Sequence, residues 1–215
     1  MPKLFILDFD GTLADTSKVI LQSMRQTIDY LHLECPAEEE LLNTIGLPLR
    51  ETFTSLFPNA SSQQADTYVN VYRDRFNDNN HPESVPLFPH VFDTLQQLHQ
   101  KGCLLSIASS RSRDTLADFI RRFRLDDIIT FVVSANDVQH AKPHPEPVDI
   151  TLNHYGITPE EAVVVGDAVY DILMGRNAGT RTCAVSYGNG SREEMLKAGA
   201  DHVVDDFSEL LSIAF

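Results

Sequence analysis

The chain has 215 residues, enough for one core domain plus a modest insertion. Hydrophobic residues make up 42% and charged residues 22%, which excludes a disordered or fibrous chain. A formal net charge of −14 repels polyanions, so nucleic acid is a poor partner, whereas acids converging on a divalent cation would account for part of the surplus.

Leu4 to Phe9 is a short β-like run that ends in acid and glycine. Residues 16–34 place Val19, Ile20, Met24, Ile28 and Leu31 at helical spacing, and residues 37–80 continue the helical pattern without a buried strand. The segment from Pro82 to Pro89, with three prolines, reads as a return linker. Helix is predicted over 89–101, with Gly102 just past its end. A regular alternation follows: strand 104–108, helix 112–123, strand 128–133, helix 145–155 closed by Gly156. Thr158-Pro159-Glu160-Glu161 is a capping box opening one short helical turn. Strand 162–165, helix 169–178, strand 182–185, a helix capped at Ser191 and strand 202–204 complete the chain. Near-continuous apolar strands separated by helices indicate a parallel sheet covered on both faces.

The expected fold is therefore α/β, a doubly wound (Rossmann-like) parallel sheet. Residues 1–14 and 86–215 form its core, and residues 15–85 an inserted α-helical cap domain. The three cysteines, Cys35, Cys103 and Cys183, form no CxxC, which fits a reducing cytoplasm. Cys103 and Cys183 open apolar runs and read as small core residues. The amino terminus shows no charged leader or long apolar span, so neither secretion nor membrane insertion is expected. The Arg121-Arg122-Phe123-Arg124 cluster reads as a solvated helix face.

Polar groups follow four of the predicted strands. Asp8 and Asp10 lie in Asp8-Phe9-Asp10-Gly11-Thr12, Ser109 follows strand 104–108, Lys142 lies beyond strand 128–133, and Asp167 and Asp171 follow strand 162–165. Ligands of open parallel sheets bind beyond the carboxyl ends of the strands, so these distant residues can meet in one crevice. Each alone has a plainer reading: a turn carboxylate, a strand-end hydroxyl, a solvated lysine, a helix cap. Together they place four carboxylates against one lysine, costly unless a cation joins them. Oxygen-only donors favour Mg²⁺ over zinc. Lys142 and Ser109 then hold phosphate oxygens, while Gly11 lets backbone N–H groups approach the anion. With Asp8 and Asp10 on one strand face, one acid attacks phosphorus and the other moves a proton.

Asp8-Phe9-Asp10-Gly11-Thr12-Leu13, Ser109, Lys142-Pro143 and Gly166-Asp167 with Asp171 resemble the four motifs of the haloacid dehalogenase-like hydrolase superfamily. The resemblance covers essentially the whole chain. It implies Asp8 as nucleophile and Asp10 as general acid/base. It also implies Mg²⁺ held by Asp8, the Asp10 backbone carbonyl and Asp167, with Asp171 as ligand or neighbour. An acid at position 10 implies phosphoester or phosphoanhydride chemistry rather than dehalogenation. The stretches Asp137–Pro147 and Asn177-Ala178-Gly179-Thr180 look like the phosphoglycolate phosphatase and bacterial pyrophosphatase group, except that His144 stands where Asp or Ala is common. Ile20 occupies the place of a histidine usual in sugar phosphomutases.

Gly46-Leu47-Pro48-Leu49-Arg50 looks like the cap substrate loop, with Arg50 placed to reach an anionic group. Gly11, Thr12 and Ser110 are further candidates for binding phosphate; Tyr72, Arg73 and Arg75 are weaker ones for the cap, and Arg111, two residues past Ser109, has two readings, a place at the border of the pocket and, preferred, a solvated position. The reading is a cytoplasmic Mg²⁺-dependent phosphatase of a small phosphorylated metabolite, monomeric or homodimeric, with no nucleic-acid or membrane partner. Inorganic pyrophosphatase, sugar phosphomutase and a non-catalytic phosphate-binding relative are the alternatives.

Overall fold

Four apolar residues in a row, Leu4–Leu7, form strand β1, which is fully buried at the centre of a six-stranded sheet in the computed structural model. The structure describes residues 2–213. Strand order is β3-β2-β1-β4-β5-β6, with β2 Leu104–Ala108, β3 Phe131–Val133, β4 Ala162–Gly166, β5 Arg181–Val185 and β6 His202–Val204. Every pairing is parallel. Successive side chains alternate between faces. Phe5, Leu7, Leu105, Ile107, Val163 and Val165 join the larger apolar cluster, while Leu4, Ile6 and Val164 join a second on the other side. Both faces are thus dry, as parallel sheets require. Cys103 and Cys183 are buried and Cys35 is exposed.

Helices α5 Val91–Gln100, α6 Arg113–Arg122, α7 Glu146–Tyr155, α8 Val169–Asn177 and α9 Arg192–Ala198 make the crossovers. Gly102 and Gly156 take positive φ just after α5 and α7, as their placement predicts. Ser191 caps α9 by accepting the Glu194 N–H. Strand β3 is shorter than predicted because the Ile128 and Ile129 N–H groups both return to the Leu125 carbonyl, closing a turn.

Between β1 and α5 lie four helices: α1 Ser17–Tyr30, α2 Glu38–Leu42, α3 Leu49–Leu56 and α4 Ser62–Asn79. Helix α1 stops short of the predicted residue 34 because His32 turns to φ +53°. Phe53 packs edge-on to Tyr68 and Tyr72 of α4, and all three belong to the larger apolar cluster that also covers one face of the sheet. The connections to the sheet run side by side: the Asp15 N–H donates to the Pro86 carbonyl at 2.9 Å and the Phe88 N–H to the Leu13 carbonyl at 3.0 Å. Arg122 is not on a solvated face; only 18% of its side chain is exposed, and it bonds Asn80, His81 and Asp118. Among the described residues no helix is long and apolar enough to cross a membrane.

Candidate active site

Strand β1 leaves the sheet at Asp8, whose N–H still donates to the Val165 carbonyl of β4 at 2.9 Å. That bond fixes Asp8 beside Asp167, which follows β4. Donor oxygens of Asp8, Asp167 and Asp171 lie within 4.8 Å of one another, and all three residues are buried. Lys142, only 3% exposed in its side chain, donates to Asp8 Oδ1 at 2.5 Å and to Asp171 Oδ1 at 2.6 Å. Burial opposes the lysine's charge, but Asp171 and Asp8 outweigh it and hold the ammonium above its ordinary range.

The carboxylates show the reverse balance. Burial raises Asp8 well above the usual range, Lys142 counters it, and Asp171, Asp167 and Asp10 push it higher. Burial and then Asp171 raise Asp167 to about 7, against hydrogen bonds from Asn189 and Thr12. Asp171 Oδ2 accepts the Ala168 N–H at 3.0 Å, so this acid also caps α8.

Asp167 is held from several sides. Thr12 donates its hydroxyl to Oδ1 at 2.8 Å; Asn189 donates its backbone N–H to Oδ2 at 2.8 Å and its Nδ2 at 2.9 Å. The Thr12 side chain therefore serves Asp167. Gly11, at φ +76°, lies so close that a Cβ there would sit 2.1 Å from Asp167 Oδ2. At Gly188 a Cβ would meet Asp167 Cβ at 2.2 Å. Two backbone segments thus close onto one carboxylate, which only glycine permits.

Asp10 points elsewhere. Arg111 Nε donates to its two oxygens at 2.8 and 2.7 Å, and Nη2 to Oδ1 at 2.6 Å. The expectation of a solvated Arg111 is wrong: its side chain is 10% exposed, with its guanidinium 4.7 Å from the Phe76 ring centroid and 5.1 Å from that of Phe119. Burial works against its charge, yet Asp10 more than restores it. Four carboxylates therefore face two cations, not one. With all four acids ionised two negative charges would remain, matching one divalent ion, and the donor set is oxygen throughout. The residues fit Mg²⁺.

Asp8, Asp10 and Ser109 open onto a cavity of about 700 Å³ whose opposite wall is the helical block, including Ile20, Gly46, Arg50 and Tyr72. Lys142, Asp167 and Asp171 lie behind Asp8, outside that lining. Ser109 Oγ accepts the Arg111 N–H at 3.2 Å. Ser110, expected to bind phosphate, lines the cavity and donates its hydroxyl to the Gly46 carbonyl at 2.7 Å, tying sheet to block. Arg50 borders the cavity but pairs with Asp66 and donates to Ser62 Oγ at 2.6 Å. Tyr72 is buried in the wall and Arg73 borders it, whereas Arg75 lies over the Tyr30 ring outside the lining. Sequence reasoning placed Arg111 at the border of the pocket as its second reading but missed its pairing with Asp10, and it missed Asn189 and Gly188 altogether. Only Arg111 left a signal, because one lysine against four acids leaves room for a second cation.

A family model for haloacid dehalogenase-like hydrolases matches residues 5–185. Pyrophosphatase PpaX of Anoxybacillus flavithermus is 36% identical over 208 residues, covering 97% of this chain and 94% of that protein. A Bacteroides fragilis structure, described as a haloacid dehalogenase-like hydrolase, superposes with a TM-score of 0.91 at 26% identity, over 98% of this chain and all of that one. A Haemophilus somnus structure named a predicted phosphoglycolate phosphatase reaches 0.88 at 20% identity, over 97% of this chain and 96% of that one, a likeness of fold.

Proposed function

The chain belongs to the haloacid dehalogenase-like hydrolases, and from that premise we propose a Mg²⁺-dependent phosphatase that acts on a small phosphorylated metabolite through an aspartyl phosphate on Asp8. The observation that carries this reading is the position of Asp8: one carboxylate belongs both to the cavity wall and to a buried acidic cluster two charges in excess.

Asp8 and Asp167, with Asp171 beside them and the Asp10 backbone carbonyl, would hold Mg²⁺. When bound, Mg²⁺ supplies the positive charge that offsets crowded carboxylates and phosphoryl oxygens. Lys142 binds a phosphoryl oxygen and holds Asp8 in place. The Ser109 hydroxyl, accepting the Arg111 N–H, turns its own proton to another phosphoryl oxygen. Asp8 attacks phosphorus as the bond to the leaving oxygen breaks, and Asp10 gives that oxygen its proton. Asp10 then takes a proton from the water that splits the acyl phosphate. The helical block excludes bulk water, with the Ser110–Gly46 bond as one fastening.

The cavity volume, and the aliphatic Ile20, Met24 and Leu47 in its wall, favour an organic leaving group over inorganic pyrophosphate. Ile20 stands where the mutase resemblance calls for histidine, which favours release of phosphate over its return to a sugar. Pyrophosphate remains the second reading, favoured by the relatives named PpaX. A screen of phosphorylated metabolites and pyrophosphate, with and without Mg²⁺, tests both. An organic phosphate turned over with the higher kcat/KM supports the first, pyrophosphate as the better substrate replaces it with the second, and turnover unchanged by chelator overturns Mg²⁺ dependence.

A further inference from the structure

The loop from Asp137 to Pro145 carries Lys142 inward and two imidazoles outward. His140 and His144, each two residues from Lys142, stack with ring centroids 4.4 Å apart and planes 27° from parallel. Glu146, at the start of α7, closes the group: its Oε2 lies 2.8 Å from His140 Nδ1. One donor atom from each of the three residues lies within 4.8 Å of the others. Both histidines are exposed, so an ion reaches them from solvent without entering the cavity.

The carboxylate is fixed before any ion arrives. Glu146 Oε1 accepts the Gln139 N–H at 2.9 Å and Oε2 the His140 N–H at 2.8 Å. The Gln139 N–H foremost, helped by His140, holds this acid below its usual range. His144 Nδ1 accepts the Glu146 N–H at 3.2 Å, so this nitrogen is the unprotonated one, and its lone pair ligates once the ring turns away from that N–H. Asn177 anchors the same loop from α8 by donating to the Pro143 carbonyl at 2.9 Å.

We infer that His140, His144 and Glu146 form a second metal site, selective for a transition ion such as Zn²⁺, whose occupancy restrains the loop that positions Lys142. Two imidazoles and one carboxylate suit Zn²⁺, Ni²⁺ or Cu²⁺ and are a poor set for Mg²⁺, which takes oxygen. The two clusters thus sort ions by donor chemistry: oxygen only around Asp8, nitrogen and oxygen around His140. Stacked rings do not aim both nitrogens at one ion, so ligation must turn them and tighten the turn between residues 140 and 144. Lys142 lies in that turn, and its bonds to Asp8 and Asp171 transmit the change. The coupling to catalysis rests on the function proposed above; the binding site does not.

The test titrates full-length protein with Zn²⁺ in saturating Mg²⁺, comparing wild type with His140→Ala and His144→Ala by calorimetry. The wild type is expected to bind one Zn²⁺ that each variant binds more than about tenfold more weakly, since even outer-sphere losses cost 10–100-fold. Identical isotherms for all three proteins overturn the site. Filling the site is expected to change kcat of the wild type and to leave His144→Ala at its Zn²⁺-free rate. Binding without any change in wild-type kcat, or an equal change in both proteins, overturns the coupling to Lys142.

Discussion

Arg111–Asp10 and Arg50–Asp66 face one cavity from opposite sides, the first from the strand ends of the sheet and the second from the helical block. In the first pair 10% and 12% of the side chains are exposed; in the second, 47% and 60%. Arg111 is also enclosed by Phe9, Phe76 and Phe119, whereas Arg50 pairs with residues near the start of α4 on its own block. Ion-pair chemistry alike in kind is therefore part of the framework in one region and an adjustable contact in the other. Solvent access makes the difference, because water screens the exposed pair fully and reaches the enclosed one only through the cavity.

The largest effect that would sharpen this contrast belongs to Arg111. Arg111→Ala leaves Asp10 without its partner and should destabilise the protein by about 3 kcal/mol or more in urea unfolding. Arg50→Ala should stay within about 1 kcal/mol; equal losses would break the comparison. Next in size, Asn189→Ala removes the Nδ2 support of Asp167 and its bond from Ser17. Mg²⁺ affinity should fall about 10–100-fold by calorimetry; unchanged affinity would mean the backbone N–H and Thr12 suffice.

A pH titration comes third. The Asp167 carboxyl, raised to about 7 from an ordinary 3.8, keeps its proton in the metal-free fold where the unfolded chain has lost it. Its contribution to metal-free stability is therefore present at low pH and is lost as pH rises towards 7. Mg²⁺ needs the ionised acid, so apparent affinity should weaken as pH falls below 7, by about tenfold per pH unit for each proton the ion displaces. Affinity independent of pH there would contradict that balance. The smallest effect is the selectivity of Arg50. Arg50→Ala should raise KM several-fold for the physiological substrate and less for p-nitrophenyl phosphate; equal changes would remove its role in selection.

Asp8, Lys142 and Asp167 were legible in the sequence because each follows an apolar strand, and a parallel sheet places strand ends together whatever the loop lengths. The helical block was legible from its periodicity and from the prolines of its return. Arg111 was not, since its burial depends on Phe9, Phe76 and Phe119, which lie on three separate parts of the chain. Asn189 and Gly188 were hidden for the same reason: their partner Asp167 is 22 residues away in sequence for Asn189, and the loop after β5 shows no pattern of its own. Thr12 and Ser110 show a further side of this. Their neighbours in sequence suggested phosphate, while the folded chain gives their hydroxyls to Asp167 and Gly46.

Borohydride trapping during turnover with Mg²⁺, followed by peptide mass spectrometry, tests the covalent role of Asp8 most directly. Reduction of an acyl phosphate should convert Asp8, and no other acid, to homoserine, with the product absent in Asp8→Asn. An unmodified Asp8 in protein that is turning over, or the same label on another carboxylate, would contradict the account.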